Sequence, residues 1–468
     1  MSIIIPANSA AGGAGYQVDN SCRFNSGSSD SLSRSSTAGN KKTWTFSFWL
    51  KRSKLDVLQF IAFSDVANYF RMRITSGNVF EIFDSNGNNT WNWGNLLRDT
   101  SAWYHLVLRA DSTDGTNGNR LRLYINGTLA SANTVASISQ GYDFSFNQGG
   151  TFKIAEFSGN NYLDGYLAET ILIDGQALAP TDFGEFDEDS GIWKPIDVSG
   201  LTFGTNGFYL DFEDSGALGD DVSGNGNDFT VNNLTAIDQT TDTPTNNFAT
   251  WNPLVKTSST VTISEGNTIG TEATNGYYYG IVTTMFPTSG KWYGEMKFTS
   301  LGTVQTGFIT EGTFIDGDRN LYSSSSSLYW QSGSTSISTV LNSSGVTTVV
   351  SGGSNSTSAF NSTNDIIMYA WDVDNGRAWF GINGTWQNSG NPAGPTNWWS
   401  LPSDYAAGVS LFTTLCGCGV GTATVNLNTG NPPFTGTDKT DGNSRGSFEY
   451  QPPDGFLSLC TANLSEFG

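Results

Sequence analysis

The chain has a single histidine, His105, which limits the chemistry that its side chains can perform. A Ser-His-Asp triad or a multi-histidine metal site would have to be built around this one residue. His105 alternates with Trp103 and Val107 in an apolar run, and no nucleophile motif lies near it. We therefore expect a half-buried strand histidine that hydrogen-bonds to a neighbour, and not a catalyst.

Paired carboxylates are a second chemistry to consider, because two of them across a cleft can hydrolyse a glycosidic bond. The nearest match to a Glu-x-Asp-x-x-Glu strand pattern begins at Glu185 and Asp187, but Ser190 stands where the third carboxylate is needed. The flanking Pro180 and Gly191 favour a loop. We predict that the chain has no catalytic residue and is not an enzyme.

Thiols and carboxylates could also hold a metal. Cys416 and Cys418 are one residue apart, whereas zinc-binding pairs have two or more residues between the thiols. We interpret these two cysteines, with Cys22 and Cys460, as buried and unmodified. The run 372–376 is similar to the start of a calcium loop but lacks its bidentate Glu, so a hairpin turn is the better interpretation. The sequence leaves any metal ligand unknown.

Aromatic residues in predicted Gly- and Asn-rich loops are the candidates for ligand contact, since an aromatic face can stack on a sugar ring. The selected side chains are Trp91, Trp93, Tyr277, Tyr278, Trp398 and Trp399. The alternative is that these rings fill the ends of the domains or lie between subunits, and the large core area that aromatics provide favours it.

Charge excludes some partners. The chain has 43 acidic and 22 basic side chains and a formal net charge of -21, which opposes binding to nucleic acid or to anionic membrane surfaces. The first six residues lack a basic region, and their apolar stretch is too short for a signal peptide or a membrane span. We expect no nucleic acid partner and no membrane insertion.

Short alternating runs punctuated by Gly, Asn and Asp recur along the whole chain, as at 43–50 and 364–371, and predict an all-β protein. The sequence Ile-Asn-Gly-Thr follows an Arg-containing strand at 125–128 and again at 382–385. Asn-Gly between apolar strands favours a type I′ hairpin. Its recurrence in the same context indicates two domains of related architecture.

A polar, proline-containing stretch at 238–247 predicts a domain boundary near residue 245, and a softer boundary follows 431–434. The predicted parts are a leader or docking segment, a first sandwich, a second sandwich and a strapping segment: 1–20, 21–245, 246–435 and 436–468.

The two halves resemble different branches of one fold. The first half resembles the laminin-G-like, concanavalin-type sandwiches common in phage structural proteins, at 44–51, 103–106, 123–127, 165–169 and 208–229. The second half resembles a SPRY domain, at 290–298, 365–376, 407–411 and 425–434. A Ser-, Thr- and Gly-rich insertion at 321–362 departs from the SPRY pattern. The resemblance implies an all-β chain of two tandem concanavalin-like antiparallel β-sandwiches (jelly rolls) with a short C-terminal extension.

This pairing, with the terminal segment 450–464, resembles proteins of marine tailed phages. The resemblance implies a bacteriophage virion appendage, a tail fibre or capsid fibre, that binds a host-surface glycan. A purely structural capsid decoration or collar protein without a host ligand is the alternative, and a polysaccharide depolymerase is a third, disfavoured class. Other virion proteins are the implied partners.

The same resemblance implies a homo-oligomer, with a trimer favoured, on the virion exterior after assembly in the host cytoplasm. Calcium at the rim of the first sandwich is the one cofactor that it allows.

Overall fold

The computed structural model describes residues 15–468 except 66–67, 257, 274–278, 312–325, 342–343, 347–349, 353 and 418–420. The described residues divide into two compact units, 15–247 and 248–468. Both are built from antiparallel sheets, so the predicted all-β class is confirmed. Within these ranges, no helix is long and apolar enough to cross a membrane.

The first unit contains two eight-stranded sheets and a two-stranded hairpin. Its strands are β1 (Ser21–Phe24), β2 (Ser31–Ser36), β3 (Thr43–Arg52), β4 (Gln59–Asp65), β5 (Tyr69–Ile74), β6 (Val79–Asp84), β7 (Asn89–Leu96), β8 (Trp103–Asp111), β9 (Leu121–Ile125), β10 (Thr128–Leu129), β11 (Ala132–Val135), β12 (Gly150–Ile154), β13 (Gly165–Asp174), β14 (Gly184–Phe186), β15 (Trp193–Pro195), β16 (Phe208–Leu210), β17 (Thr230–Asn232) and β18 (Gln239–Thr240). Short 3₁₀ helices lie at Asn117–Asn119, Pro180–Asp182 and Ala236–Asp238.

One sheet of the first unit, sheet A, has the order β10-β9-β8-β3-β13-β1-β18, with β16 also paired to β13. The other, sheet B, has the order β11-β7-β6-β5-β4-β12-β2-β17. Trp44, Phe46 and Phe48 alternate along β3 and are fully buried with Phe70 of sheet B. Burial of one such Phe contributes roughly 1.5–3 kcal/mol, so these rings bind the two sheets into one sandwich.

The outer face of sheet A is covered by chain segments on either side of the predicted boundaries. Val18, from the predicted leader, belongs to the same hydrophobic cluster as Trp103 and donates its backbone N–H to the Thr245 hydroxyl at 3.1 Å. Lys51 of β3 forms a buried ion pair with Asp242, with an Nζ–Oδ2 distance of 2.6 Å. Residues 15–20 and 240–247 therefore pack as parts of the first unit. Residues 1–14 lie outside the described residues.

The second unit contains a seven-stranded and a nine-stranded sheet. Its strands are β19 (Trp251–Lys256), β20 (Thr262–Ser264), β21 (Ile269–Glu272), β22 (Tyr279–Thr283), β23 (Lys291–Ser300), β24 (Thr303–Thr310), β25 (Ser327–Gln331), β26 (Ile337–Leu341), β27 (Ser344–Val346), β28 (Ile366–Asp372), β29 (Arg377–Ile382), β30 (Thr385–Trp386), β31 (Trp399–Ser400), β32 (Val409–Cys416), β33 (Ala423–Asn428) and β34 (Leu457–Ser458). Helix α1 spans Thr461–Phe467, and 3₁₀ helices lie at Gln387–Ser389 and Tyr405–Ala407.

In the second unit, sheet C has the order β19-β22-β32-β24-β25-β26-β27. Sheet D has the order β20-β21-β33-β23-β28-β29-β30, with β31 paired to β29 and β34 paired in parallel to β23. Phe308 and Trp330 of sheet C meet Phe380 of sheet D at ring-centroid distances of 5.3 and 6.2 Å. This unit is therefore a second sandwich with an aromatic core.

The Asn-Gly pairs lie at hairpin turns in both units. Asn126 and Gly127 have φ of 47° and 73°, and Asn383 and Gly384 have φ of 47° and 84°. Positive φ at both central positions is what a type I′ turn requires, so this prediction is confirmed.

The C-terminal residues cover the outer face of sheet D. Phe448 packs edge-on against Tyr293 with ring centroids 5.1 Å apart. Glu295 of β23 accepts the backbone N–H groups of Glu449 and Tyr450 at 3.0 and 2.8 Å. Burial raises the pKa of Glu295 to about 7. This carboxyl therefore ties the segment 436–460, called the C-terminal strap below, to the sheet.

Candidate binding surface

His105 is held in place by its neighbours in the first unit. Its ring stacks on Trp49 at 4.6 Å, and Nδ1 accepts the indole N–H of Trp193 at 2.9 Å. Nε2 therefore carries the proton and faces the Ser47 hydroxyl at 2.9 Å. The prediction of a hydrogen-bonded structural histidine is confirmed, but the ring is fully buried and not half-buried, because Trp193 of β15 covers it.

The predicted loop is wrong for Glu185, which lies on β14 where it pairs with β15, whereas Asp187 lies in the turn that joins the two strands. Asp187 accepts the backbone N–H and the hydroxyl of Ser190, each at 2.9 Å, and lies 3.1 Å from the Lys194 ammonium. These hydrogen bonds lower the pKa of Asp187 to about 2. Asp187 therefore caps the hairpin turn.

The cysteines differ from one another. Cys22 and Cys460 are free and buried, as predicted. Cys416 is disulfide-bonded, so its interpretation as unmodified is wrong, and Cys418 lies outside the described residues. Among the described residues, no group of three or more His, Cys, Asp or Glu side chains is placed to hold a metal ion.

Three of the selected aromatic side chains are core residues. Trp91 and Trp93 lie on β7 and not in a loop, and both are buried. The Trp91 indole donates to the Ala136 carbonyl at 2.9 Å, and that of Trp399 donates to Asn355 Oδ1 at 3.0 Å. These three rings pack in the cores of the sandwiches, as the alternative interpretation proposed. A ligand cannot reach them without opening the sandwich.

Trp398 has a different environment, whereas Tyr277 and Tyr278 lie outside the described residues. The Trp398 side chain is half-buried on the outer side of sheet D, and the Arg377 guanidinium carbon lies 4.2 Å from its ring centroid. This spacing is that of a cation–π contact. Trp398 is thus the one selected ring, among the described ones, that remains partly accessible.

Two further half-buried rings belong to the same outer cluster: Trp386 of β30 and Tyr450 of the C-terminal strap. Trp386 packs edge-on against Tyr293 at 6.4 Å. Tyr450 lies against Gly384, where an added Cβ would come within 3.0 Å of its ring. We call Arg377, Trp386, Trp398 and Tyr450 the aromatic surface.

Arg377 carries the positive charge of the aromatic surface. Its guanidinium makes no side-chain hydrogen bond or ion pair with another described residue, although Asp372 is its cross-strand neighbour. Asp372 instead pairs with the Lys291 ammonium at 3.7 Å. Arg377 therefore presents N–H donors next to the partly accessible ring of Trp398.

Sequence reasoning missed Arg377, Trp386 and Tyr450 because they come from β29, β30 and a segment more than sixty residues later in the chain. The alternation of Arg377 with Trp379 on β29 was an available signal, since both must face the same side of the sheet.

Comparison with known proteins agrees with the fold of the first unit. Residues 25–181 match a family model, Laminin_G_3, described as the concanavalin A-like lectin/glucanases superfamily. No curated protein sequence matches the chain. The first unit is therefore concanavalin-like, and this lectin-like architecture indicates a binding role.

Three solved structures illustrate the similarity, and each is distant in sequence. The SPRY domain of human HERC1 is 14% identical, with 38% of this chain and 96% of that chain covered and a TM-score of 0.28. Domains LG4-5 of the mouse laminin alpha1 chain are 8% identical, with 97% and 90% covered and a TM-score of 0.28. A putative carbohydrate binding protein from Bacteroides ovatus is 14% identical, with 47% of this chain and 61% of that chain covered and a TM-score of 0.29. The SPRY character of the second unit stays a prediction.

Proposed function

We propose that this protein is a structural appendage on the exterior of a bacteriophage particle, a tail fibre or capsid fibre, and that its second sandwich binds a host-surface glycan. The observation that carries the binding role is the aromatic surface. The virion role is supported by the resemblance of the first half to sandwiches common in phage structural proteins, and by the resemblance of the pairing, with segment 450–464, to proteins of marine tailed phages. Other virion proteins and further copies of the chain, as a trimer, are the proposed partners.

The aromatic surface suits a sugar because it combines two kinds of contact on a rigid support. The rings of Trp386, Trp398 and Tyr450 offer apolar area to the C–H faces of a pyranose. Arg377 offers N–H donors to ring hydroxyl groups. All four residues rest on sheet D or on the strap bound to it, so little conformational entropy is lost on binding.

A purely structural decoration or collar protein is the second candidate. The burial of Trp91, Trp93 and Trp399 favours it, because these rings stabilise the sandwiches and contact no ligand. In that case, the aromatic surface would contact a neighbouring virion subunit.

A depolymerase receives less support. His105 Nδ1 accepts a hydrogen bond from the Trp193 indole, so its lone pair is not free to act as a base. The Asp187 carboxylate accepts a hydrogen bond from Ser190 of its own hairpin. Release of reducing sugars from host polysaccharide by the purified protein would overturn the non-enzymatic proposal.

The test is to locate the protein on purified particles with an antibody and to measure whether the isolated protein competes with phage adsorption. Tail labelling with competition supports the receptor-binding fibre, whereas capsid or collar labelling without competition supports the decoration protein. Light scattering on the same sample tests the trimer.

Trp398→Ala should weaken competition with phage adsorption by about tenfold or more. Phe186→Ala, which removes an exposed ring of the first unit, should leave this competition unchanged.

A further inference from the structure

A second cluster of aromatic rings around a cation lies on the first sandwich, on the outer face of sheet B. Tyr69 and Arg71 alternate along β5 with the buried Phe70, so both face away from the core. Phe83 of β6 is the direct cross-strand neighbour of Arg71. Phe157, from the loop after β12, lies over the same face. We call Arg71, Tyr69, Phe83 and Phe157 the Arg71 cage.

The rings of the cage surround the guanidinium. The Arg71 Cζ atom lies 4.7 Å from the Phe83 ring centroid, 5.7 Å from that of Phe157 and 6.0 Å from that of Tyr69. Phe157 is fixed by a parallel stack on Phe60 at 4.5 Å. The four cage residues are each only half-buried, so the cluster is accessible to a ligand from solution.

Among the described residues, Arg71 forms no ion pair with an acidic side chain, in contrast to its neighbour Arg73. The Arg71 Nε is buried and makes no hydrogen bond with another described residue. Desolvation lowers the pKa of Arg71, which nevertheless stays protonated.

Two other cations on this face of sheet B are each paired with a carboxylate. Arg73 bonds to Glu81 with an Nε–Oε1 distance of 2.7 Å, and Lys153 bonds to Glu156 at 2.6 Å. In a chain with 43 acidic and 22 basic side chains, a cation that makes no ion pair is conspicuous. The Nη donors of Arg71 also have no acceptor among the described residues, so a ligand acceptor can pair with them without breaking an existing hydrogen bond.

We propose that the Arg71 cage binds the carboxylate of an acidic saccharide, such as a hexuronate unit. A guanidinium matches a carboxylate with two parallel hydrogen bonds. In a hexuronate, the carboxylate is attached directly to the pyranose ring, so a carboxylate on Arg71 brings the sugar ring against Phe83 or Phe157. A flexible acidic peptide side chain carries no such ring, and the aromatic faces therefore favour the sugar.

Calorimetric titration of the full chain with a galacturonate trimer and with its methyl ester tests this inference. The ester keeps the shape of the sugar and removes its charge. We expect the free acid to bind and the ester to bind at least about tenfold more weakly. Arg71→Gln should give a similar loss, and Arg71→Lys should recover only part of the affinity, since Lys keeps the charge but not the planar fork.

Arg122→Gln is the matched control, because the Arg122 guanidinium is bonded to its own loop at Gly118 and lies on sheet A. Trp398→Ala separates the cage from the aromatic surface and should not change binding of the trimer. Equal binding of acid and ester, unaltered binding by Arg71→Gln, or no binding of the acid would overturn the inference. Arg71-dependent binding of pentaglutamate in place of the saccharide would overturn it in favour of a protein partner. The result is independent of adsorption competition, so the two proposals can fail separately.

Discussion

His105 and Glu169 lie on the same sheet of the first unit, and burial acts on their pKa values in opposite directions. Desolvation lowers the pKa of His105 to about 3 and raises that of Glu169 to about 8. Both groups are therefore neutral at pH 7. Glu169 accepts the Tyr209 hydroxyl at 2.8 Å and the Tyr16 hydroxyl at 3.2 Å, so its neutral carboxyl holds Tyr16 against sheet A.

The His105 ring should stay neutral down to about pH 4, since its pKa is about 3. Nitrogen NMR of the labelled ring should find the proton on Nε2 and no titration between about pH 8 and pH 4. A titration near the unperturbed value of about 6.5 would show that the ring is not buried as described.

Glu169→Gln should flatten the pH dependence of the stability of the first unit. The folded pKa of about 8 exceeds the ordinary value of 4.5, so the contribution of the carboxyl is fully present below about pH 4.5 and is lost as pH rises to about 8. Relative to the variant, the wild type should lose about 2–4 kcal/mol across that window. Urea unfolding at several pH values measures this difference.

The exposed Glu188→Gln is the control for that experiment, and its curve should run parallel to the wild type. A constant difference between the wild type and Glu169→Gln at all pH values would show that Glu169 is ionised in the folded state.

At the scale of elements, the C-terminal strap is anchored by hydrogen bonds to one strand, β23. Glu295 of β23 accepts four hydrogen bonds, two from backbone N–H groups of the strap, one from the Tyr293 hydroxyl and one from Asn428. The strap in turn supplies Tyr450 to the aromatic surface. The Tyr450 ring of the aromatic surface is therefore positioned by a buried carboxyl.

Glu295→Gln should loosen the strap, because the amide replaces one acceptor oxygen by a donor that faces existing donors. We expect amide exchange at Glu449 and Tyr450 to accelerate by about tenfold or more. Hydrogen exchange with mass spectrometry measures this rate. Glu449→Gln, which alters a carboxyl of the strap without a hydrogen bond to sheet D, should leave exchange unchanged, and equal rates in all three proteins would contradict the anchoring role.

At the scale of the whole molecule, two sandwiches with separate aromatic cores follow each other along the chain. The division falls between residues 247 and 248. Asn247 belongs with the first unit, since its Oδ1 accepts the buried Lys51 ammonium at 2.5 Å.

A fragment of residues 1–247 should therefore fold alone and be more stable than one of residues 1–245 by about 1–3 kcal/mol, the cost of leaving a buried donor without its acceptor. Urea unfolding followed by tryptophan fluorescence compares the two. Equal midpoints would show that Asn247 contributes nothing to the first sandwich.

The sequence by itself determined the all-β class, the two hairpins at Asn126 and Asn383, and the structural character of His105. These features depend on local rules: alternation along a strand, the φ preference of Asn-Gly, and the absence of a nucleophile nearby. Such rules act within a few residues and can be evaluated without knowing the rest of the fold.

Only the tertiary structure decided which rings are buried and which accessible. Trp398 and Trp399 are neighbours in sequence and face opposite sides of sheet D, one toward Arg377 and the other into the core. The Arg71 cage combines residues from β5, β6 and a loop more than seventy residues later. Alternation states that two faces differ, but strand order and the covering segments decide which face meets solvent, and those depend on contacts between distant parts of the chain.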